Sequence, residues 1–223
     1  MKILALDTSG EYCSVALWRD GDIDARETLA GQRHSELLLD MVDEVLGGSR
    51  LRVAELDGIA FGQGPGSFTG LRIACGAAQG LAFAAGLPVV GVDTLLAMAS
   101  ATREQRVVCC MDARMREIYH AAYEKSAAGW ETVCAPGVWP PADAPLLPDG
   151  QWHGCGSGFE AYREALLGRY AGRLCGVSSG VYPHAREIAA LAVPLFEAGK
   201  GLDAAAAAPV YVRDKVALRS DER

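Results

Sequence analysis

The string Gly64-Pro65-Gly66-Ser67-Phe68-Thr69-Gly70-Leu71-Arg72 is the strongest chemical signal in the sequence. Glycines permit positive φ and close backbone approach, and Thr69 is placed to cap a helix that follows. Such a turn leaves N–H groups facing outward at the positive end of a helix dipole, which suits an anion. Gly64, Gly66, Ser67, Thr69 and Gly70 are therefore candidates for an anion or nucleotide nest. Asp7, Thr8 and Ser9, a carboxylate and two hydroxyls at the end of an apolar run, are candidates to join it. The competing reading is a tight strand-to-helix turn with no ligand. The string is not a Walker loop, because no Lys-Ser or Lys-Thr follows, and Thr69 stands where G-x-G-x-x-G needs its last glycine.

The other reactive residue types are scattered. His34, His120, His153 and His184 include no pair at i, i+4, so local spacing builds no metal pair. A serine elbow is absent, since Cys155 stands where the first glycine before Ser157 should be. Seven cysteines, an odd number with no C-x-x-C, lie mostly in apolar runs and point to a reducing compartment. No catalytic set and no metal site is expected.

Short elements must carry these residues. Ile3–Leu6 reads as a buried strand ending at Asp7. Cys13–Leu17 and Ile23–Leu29 follow as strands about an Asp20-Gly21 hairpin turn. Leu37, Leu38, Met41, Val42, Val45 and Leu46 form a helical stripe, with Ser35 as its expected cap and Gly47-Gly48 as its stop. A strand over 56–62 leads into the glycine string. A helix over 71–85, a strand over 89–92 and a helix from Thr94 follow. The order β-β-β-α-β-α-β-α is that of a ribonuclease-H-like unit, the building block of the actin-like ATPases. A second strand set at 106–111, 116–123 and 131–138, a proline-rich loop at 139–150, and helices at 160–167 and 184–197 suggest a smaller, degenerate repeat. The expected fold is α/β with two domains, 1–102 and 103–223, the C-terminal tail packing back on the first.

Asp7 then lies where actin-like ATPases place their first phosphate and metal carboxylate. Their second phosphate loop would fall at Asp112-Ala113-Arg114-Met115-Arg116, where bulky cations replace small residues. A complete kinase or ATPase site is not expected, and Gly154–Gly158 is weak support for an adenosine site.

The net charge is −7, and residues 1–101 carry 13 acidic against 7 basic side chains. Such a chain gains little from counterion release on a phosphate backbone, so RNA is expected to be met only indirectly, through a basic partner. The few clustered cations, Arg213, Lys215, Arg219 and Arg223, are in the tail. No signal peptide is read at the start, and the uncharged stretch 73–92 is broken by glycines, Gln79 and Pro88. A soluble cytoplasmic protein with no membrane partner is expected.

In helix 71–85 the residues Gly70, Ala74, Ala78, Ala82 and Gly86 recur every four positions, giving one uniformly small face. That face either packs internally or admits a partner helix. With the stripe on 36–46 it could form a self-complementary dimer patch.

The start Ile3-Leu4-Ala5-Leu6-Asp7-Thr8-Ser9, the segment Arg33-His34-Ser35-Glu36-Leu37-Leu38, Gly64–Arg72, Asp112-Ala113-Arg114 with Arg116-Glu117-Ile118-Tyr119, and Pro209-Val210-Tyr211-Val212-Arg213 closely resemble the bacterial TsaB (YeaZ) family along the whole chain. The resemblance implies a non-catalytic subunit of the machinery that makes N6-threonylcarbamoyladenosine in tRNA. It implies pairing with a TsaD-type paralogue, recruitment of a TsaE-type ATPase, and in some members a homodimer through the same surface. The catalytic partner carries an H-x-x-x-H metal pair on its first helix. Here His34 is followed four residues on by Leu38. The resemblance puts the partner interface on the helices near 33–47 and 70–86, hence on His34, Leu37, Leu38, Met41, Val45, Leu71, Ala74, Ala78, Leu81 and Ala82. No tightly bound cofactor is implied, with ATP or ADP only at a surface shared with a partner. Alternatives are an actin-like-fold small-molecule kinase or ATPase, a metallopeptidase-like relative and, last, a ribonuclease-H-type nuclease, which would need more convergent carboxylates than Asp7.

Overall fold

The computed structural model describes residues 1–213. Lys215, Arg219 and Arg223, three of the tail cations, lie outside the described residues. The first sheet has five strands: β1 (Lys2–Asp7), β2 (Tyr12–Arg19), β3 (Asp22–Leu29), β4 (Gly58–Gly64) and β5 (Val89–Asp93), in the order β3-β2-β1-β4-β5. β1 to β3 form an antiparallel meander, and β1, β4 and β5 run parallel. Asp20 and Gly21 both have positive φ, as the expected hairpin turn requires. The second sheet repeats the plan with β6 (Arg106–Asp112), β7 (Ile118–Ser126), β8 (Gly129–Trp139), β9 (Trp152–Cys155) and β10 (Leu174–Ser178), in the order β10-β9-β6-β7-β8. Two ribonuclease-H-like domains stand side by side. The repeat is degenerate where a helix should join β8 to β9, because Pro140, Pro141, Pro145 and Pro148 leave only one short turn at Pro141–Asp143.

β1 is buried on both faces, and its alternation assigns each face a partner. Leu4 and Leu6, with Val15 and Leu17, pack under α1 (His34–Ser49) and α2 (Phe68–Ala85). Ile3 and Ala5, with Ala16 and Ala60, meet Ala185, Ile188, Ala189 and Ala192 of α6 (Ala185–Glu197). Alanines on both sides let α6 approach closely. α6 thus belongs in space to the first sheet, and a strap over 201–213 continues across that domain. Leu202 pairs with the edge residue Val89, and Val210 N–H donates to the Gln63 carbonyl at 2.7 Å. α3 (Thr94–Ala101) crosses the other way, packing Leu95, Met98 and Ala99 against Val107, Cys109 and Tyr123 of the second sheet. Asp93 caps α3 at the Leu95 and Leu96 amides and accepts from Tyr123 Oη at 2.6 Å, which ties the domains at one carboxylate.

Several local expectations need correction. α1 starts at His34 after Arg33, with no side-chain cap from Ser35, and runs past Gly47-Gly48 to a left-handed Arg50. The helix over 160–167 is two short helices, α4 (Ser157–Ala161) and α5 (Arg163–Arg169). β7 starts at Ile118 because Arg114, Met115 and Arg116 are taken up in a turn with three consecutive positive φ values, 60°, 54° and 61°. No helix among the described residues is long and apolar enough to cross a membrane.

Candidate functional site

Asp7, Thr8 and Ser9 leave β1 directly beneath the turn that enters α2, and the two turns are sewn to each other. Thr8 Oγ1 donates to the Gly70 carbonyl at 2.6 Å, and the Ser67 N–H donates to the Ser9 carbonyl at 2.8 Å. Ser67 is the N-cap of α2, its Oγ accepting from the Gly70 N–H at 3.2 Å. The cap expected at Thr69 therefore sits two residues earlier, and Thr69 is exposed. Thr94 Oγ1 holds the Pro65 carbonyl from the far side.

The glycines serve this closure. A Cβ on Gly66 would stand 2.6 Å from the Ser9 carbonyl oxygen, and one on Gly70 would overlap the Thr8 carbonyl. Gly64, at φ 118°, leaves room for the strap carbonyl of Val210. The Ser67 and Gly70 amides, expected to face an anion, are thus spent on protein acceptors. Asp7, Thr8, Ser9, Gly64, Gly66 and Gly70 are all buried, with only Ser67 and Thr69 at the surface. Gly66 and Gly70, two glycines of the expected nest, pack the two turns against each other.

Asp7 is the most constrained group in the two turns. Its Oδ1 accepts from the Ser9 N–H at 3.1 Å and from Ser9 Oγ at 3.0 Å, while Oδ2 is buried without a partner. A Cβ on Gly62 would collide with that oxygen. Burial raises the Asp7 pKa to about 7 against the Ser9 hydrogen bonds, which lower it. The neighbouring Cys13 thiol is pushed up to about 12, first by burial and then by the Asp7 charge. Such a carboxyl is closed off from solvent, with no exposed oxygen to offer a metal or phosphate.

The other candidates are equally structural. Nε2 of His34 lies 3.1 Å from the Gly10 carbonyl oxygen, which assigns its proton to that nitrogen and ties α1 to the β1–β2 turn. Leu38, four residues on, is 1% exposed in the core. In the second domain, Asp112 Oδ1 accepts from the Arg114 N–H at 2.9 Å and from Tyr162 Oη at 3.2 Å, and its Oδ2 pairs with the Arg114 guanidinium at 3.0 Å. Gly156 and Gly158 pack on the Cys110 carbonyl rather than border an open pocket. Among the described residues no three His, Cys, Asp or Glu side chains converge as a metal site.

The interface residues need a change of face. Leu38, Met41, Val45, Leu71, Ala74, Ala78 and Ala82 are all buried within the chain, most of them against the first sheet, and Ala78 is 0% exposed. A bulky charge at Ala78 would test folding, not pairing. His34 is also buried, and Leu37 and Leu81 are only half-buried flanks. The outer side of the same helix pair carries Leu39, Asp40 and Asp43 on α1 and Gly76, Gly80 and Phe83 on α2. Phe83 is 81% exposed, and a Cβ on Gly76 or Gly80 would meet nothing within 4 Å. Sequence reading missed these residues because α2 is small-sided in two phases, so composition alone could not tell the inner row from the outer.

Residues 27–162 match the family model described as TsaD, tRNA N6-adenosine threonylcarbamoyltransferase. Over 98% of its length the chain is 38% identical to the Escherichia coli tRNA threonylcarbamoyladenosine biosynthesis protein TsaB, covering 97% of that protein. The chain belongs to the TsaB (YeaZ) family. The TsaB of Haemophilus influenzae is 35% identical, with 97% of this chain and 95% of the relative covered. YeaZ from Pseudomonas aeruginosa superposes with a TM-score of 0.87 at 38% identity, over 94% of this chain and 99% of its own. A second Pseudomonas aeruginosa structure, described as similar to peptidase YEAZ, gives 0.88 at 37% identity, over 95% and 99%.

Proposed function

We propose that this TsaB-family chain is a non-catalytic subunit of the complex that makes N6-threonylcarbamoyladenosine in tRNA. The observation that carries the proposal is the sewn joint between the Asp7–Ser9 and Gly64–Gly70 turns. It keeps the architecture of a nucleotide site while burying the carboxylate and engaging the Ser67 and Gly70 amides. A subunit of this kind acts through its surface. The outer side of α1 and α2 pairs with a TsaD-type paralogue, a TsaE-type ATPase joins the pair, and a homodimer through the same side competes with it. ATP or ADP binds only where a partner completes the surface.

The outer side suits a helix partner. Gly76 and Gly80 let another helix come close, Phe83 offers an aromatic anchor, and Asp40 and Asp43 frame the groove with charge. Gly80→Arg is expected to abolish co-elution with the TsaD-type partner, read by size-exclusion chromatography with light scattering. Its melting temperature should stay within a few degrees of the parent, because the site is open. Cells lacking the chain should lose the tRNA modification, measured by mass spectrometry of digested tRNA. A parent chain that stays alone in the presence of its partner, or normal modification without it, overturns the reading.

A further inference from the structure

A strip of cations and rings runs from the start of α2 to the β6–β7 turn, against the acidic cast of the chain. The Arg72 guanidinium lies 3.3 Å from the Phe68 ring centroid and 5.0 Å from that of Tyr211, and the two rings are 5.7 Å apart. Phe68 and Tyr211 are 43% and 45% exposed, so the stack stands on the surface. Two residues along the strap, Arg213 pairs with Glu117, lies 5.8 Å from the Tyr119 ring and reaches Met115 Sδ at 3.7 Å. Met115 is the centre of the left-handed turn, flanked by exposed Arg114 and Arg116.

That turn is costly to hold. Left-handed backbone is unfavourable for a non-glycine residue, and three such residues stand in a row. Strain of this kind persists only where surrounding contacts over-determine it, and here Asp112 and the Arg213–Glu117 pair hold both ends. Asp112 takes Arg114 and Glu117 takes Arg213. Arg72 and Arg116 have no carboxylate partner among the described residues.

We propose that this strip contacts single-stranded RNA, with Arg72 and Arg116 on phosphates and the Phe68–Tyr211 rings stacking on a base. Alternating planar cations and exposed rings match alternating phosphates and bases. Arg72 and Arg116 give the polyanion a landing on a surface whose neighbouring α1 face carries Glu36, Asp40, Asp43 and Glu44. The strip adjoins the outer side of α2, so RNA held there would run along the edge of the assembled complex. This rests on the complex-subunit reading above and adds to it a direct RNA contact by this chain, where its net charge alone pointed to an indirect one. An acidic chain binds RNA weakly alone, so the contact works within the complex.

The test uses the complex with the TsaD-type partner and an unmodified tRNA transcript, followed by fluorescence anisotropy between 50 and 200 mM salt, concentrations about which phosphate contacts respond strongly. In one variant, Arg72→Gln is combined with Arg116→Asn, since asparagine tolerates the left-handed position. The second variant is Tyr211→Ala. The double variant should weaken tRNA binding about tenfold and reduce the salt slope by about 1.4, two contacts at about 0.7 each. Tyr211→Ala should weaken binding with the slope unchanged. Light scattering should still find the complex intact. Parent-like affinity and slope in an intact complex overturn the RNA contact alone. Loss of the partner in either variant makes the strip a protein interface and also overturns it. A parent complex that does not form, or binds no tRNA, removes the reading beneath it and this contact with it.

Discussion

Gly70→Ala is expected to destabilise the chain by about 3–5 kcal/mol, whereas Gly76→Ala, six residues later in α2, is expected to stabilise it by about 0.5–1 kcal/mol. At Gly70 the new methyl would occupy the place of the Thr8 carbonyl oxygen, so the β1–β2 turn and α2 must separate. Separation breaks the Thr8–Gly70 hydrogen bond, loosens the Ser67–Ser9 bond and leaves buried groups unpaired, each costing about 1–3 kcal/mol when desolvated. The loss is a large share of the roughly 5–15 kcal/mol that holds a domain together. At Gly76 the methyl enters open space on a helix interior and only lowers the entropy of the unfolded chain. Urea midpoints of the two variants decide the matter. A Gly70→Ala protein as stable as the parent would mean that the turns are not joined as described.

Asp7→Asn is expected to raise stability at pH 8 and to lower it by about 2 kcal/mol near pH 4, where the parent Asp7 carries its own proton. The folded Asp7 keeps its proton up to about pH 7, whereas the unfolded group loses it near 3.8. Between those values the folded state binds more protons, so its stability falls as pH rises across the window and stays low above it. The span between 3.8 and about 7 corresponds to about 4 kcal/mol, the cost of ionising a carboxylate in a closed pocket. Asparagine keeps an acceptor for Ser9 and carries no charge, but its amide hydrogens find no partner beside Gly62. A net gain of about 2 kcal/mol should remain. Denaturation midpoints at pH 4.5 and pH 8 read the difference. A parent that gains stability across this window would show an ionised Asp7 with a partner.

Much of the scaffold was legible in the sequence. The Ile3–Leu6 run, the Asp20-Gly21 turn and the stripe on α1 are elements whose periodicity and turn chemistry agree, and all three are where they were expected. β9 and β10 escaped notice because Trp-His-Gly-Cys and Leu-Cys-Gly-Val-Ser are too short and glycine-interrupted to alternate visibly. The glycine string was recognised, but its sequence left an anion nest and a tight turn as equal readings. A glycine needed for an approaching phosphate and one needed for an approaching carbonyl look alike until the second turn is in place. The tilted ring pair of Phe68 and Tyr211 joins residues 143 positions apart, and no local signal announces such a pair.

The packing of α6 on the first sheet has a consequence for synthesis. A growing chain that has emerged only as far as α3 has all five strands of that sheet, with Ile3, Ala5, Ala16 and Ala60 still bare on one side. The lid arrives some ninety residues later, after the whole second domain, and at a translation rate of about 5–20 residues per second the wait is about 5–20 seconds. During that interval the alanine-lined face is open to any other apolar surface, including that of another nascent chain. The molecule begins with one half of its architecture and ends by finishing it, so messages cut short before α6 should yield material that aggregates rather than a free first domain.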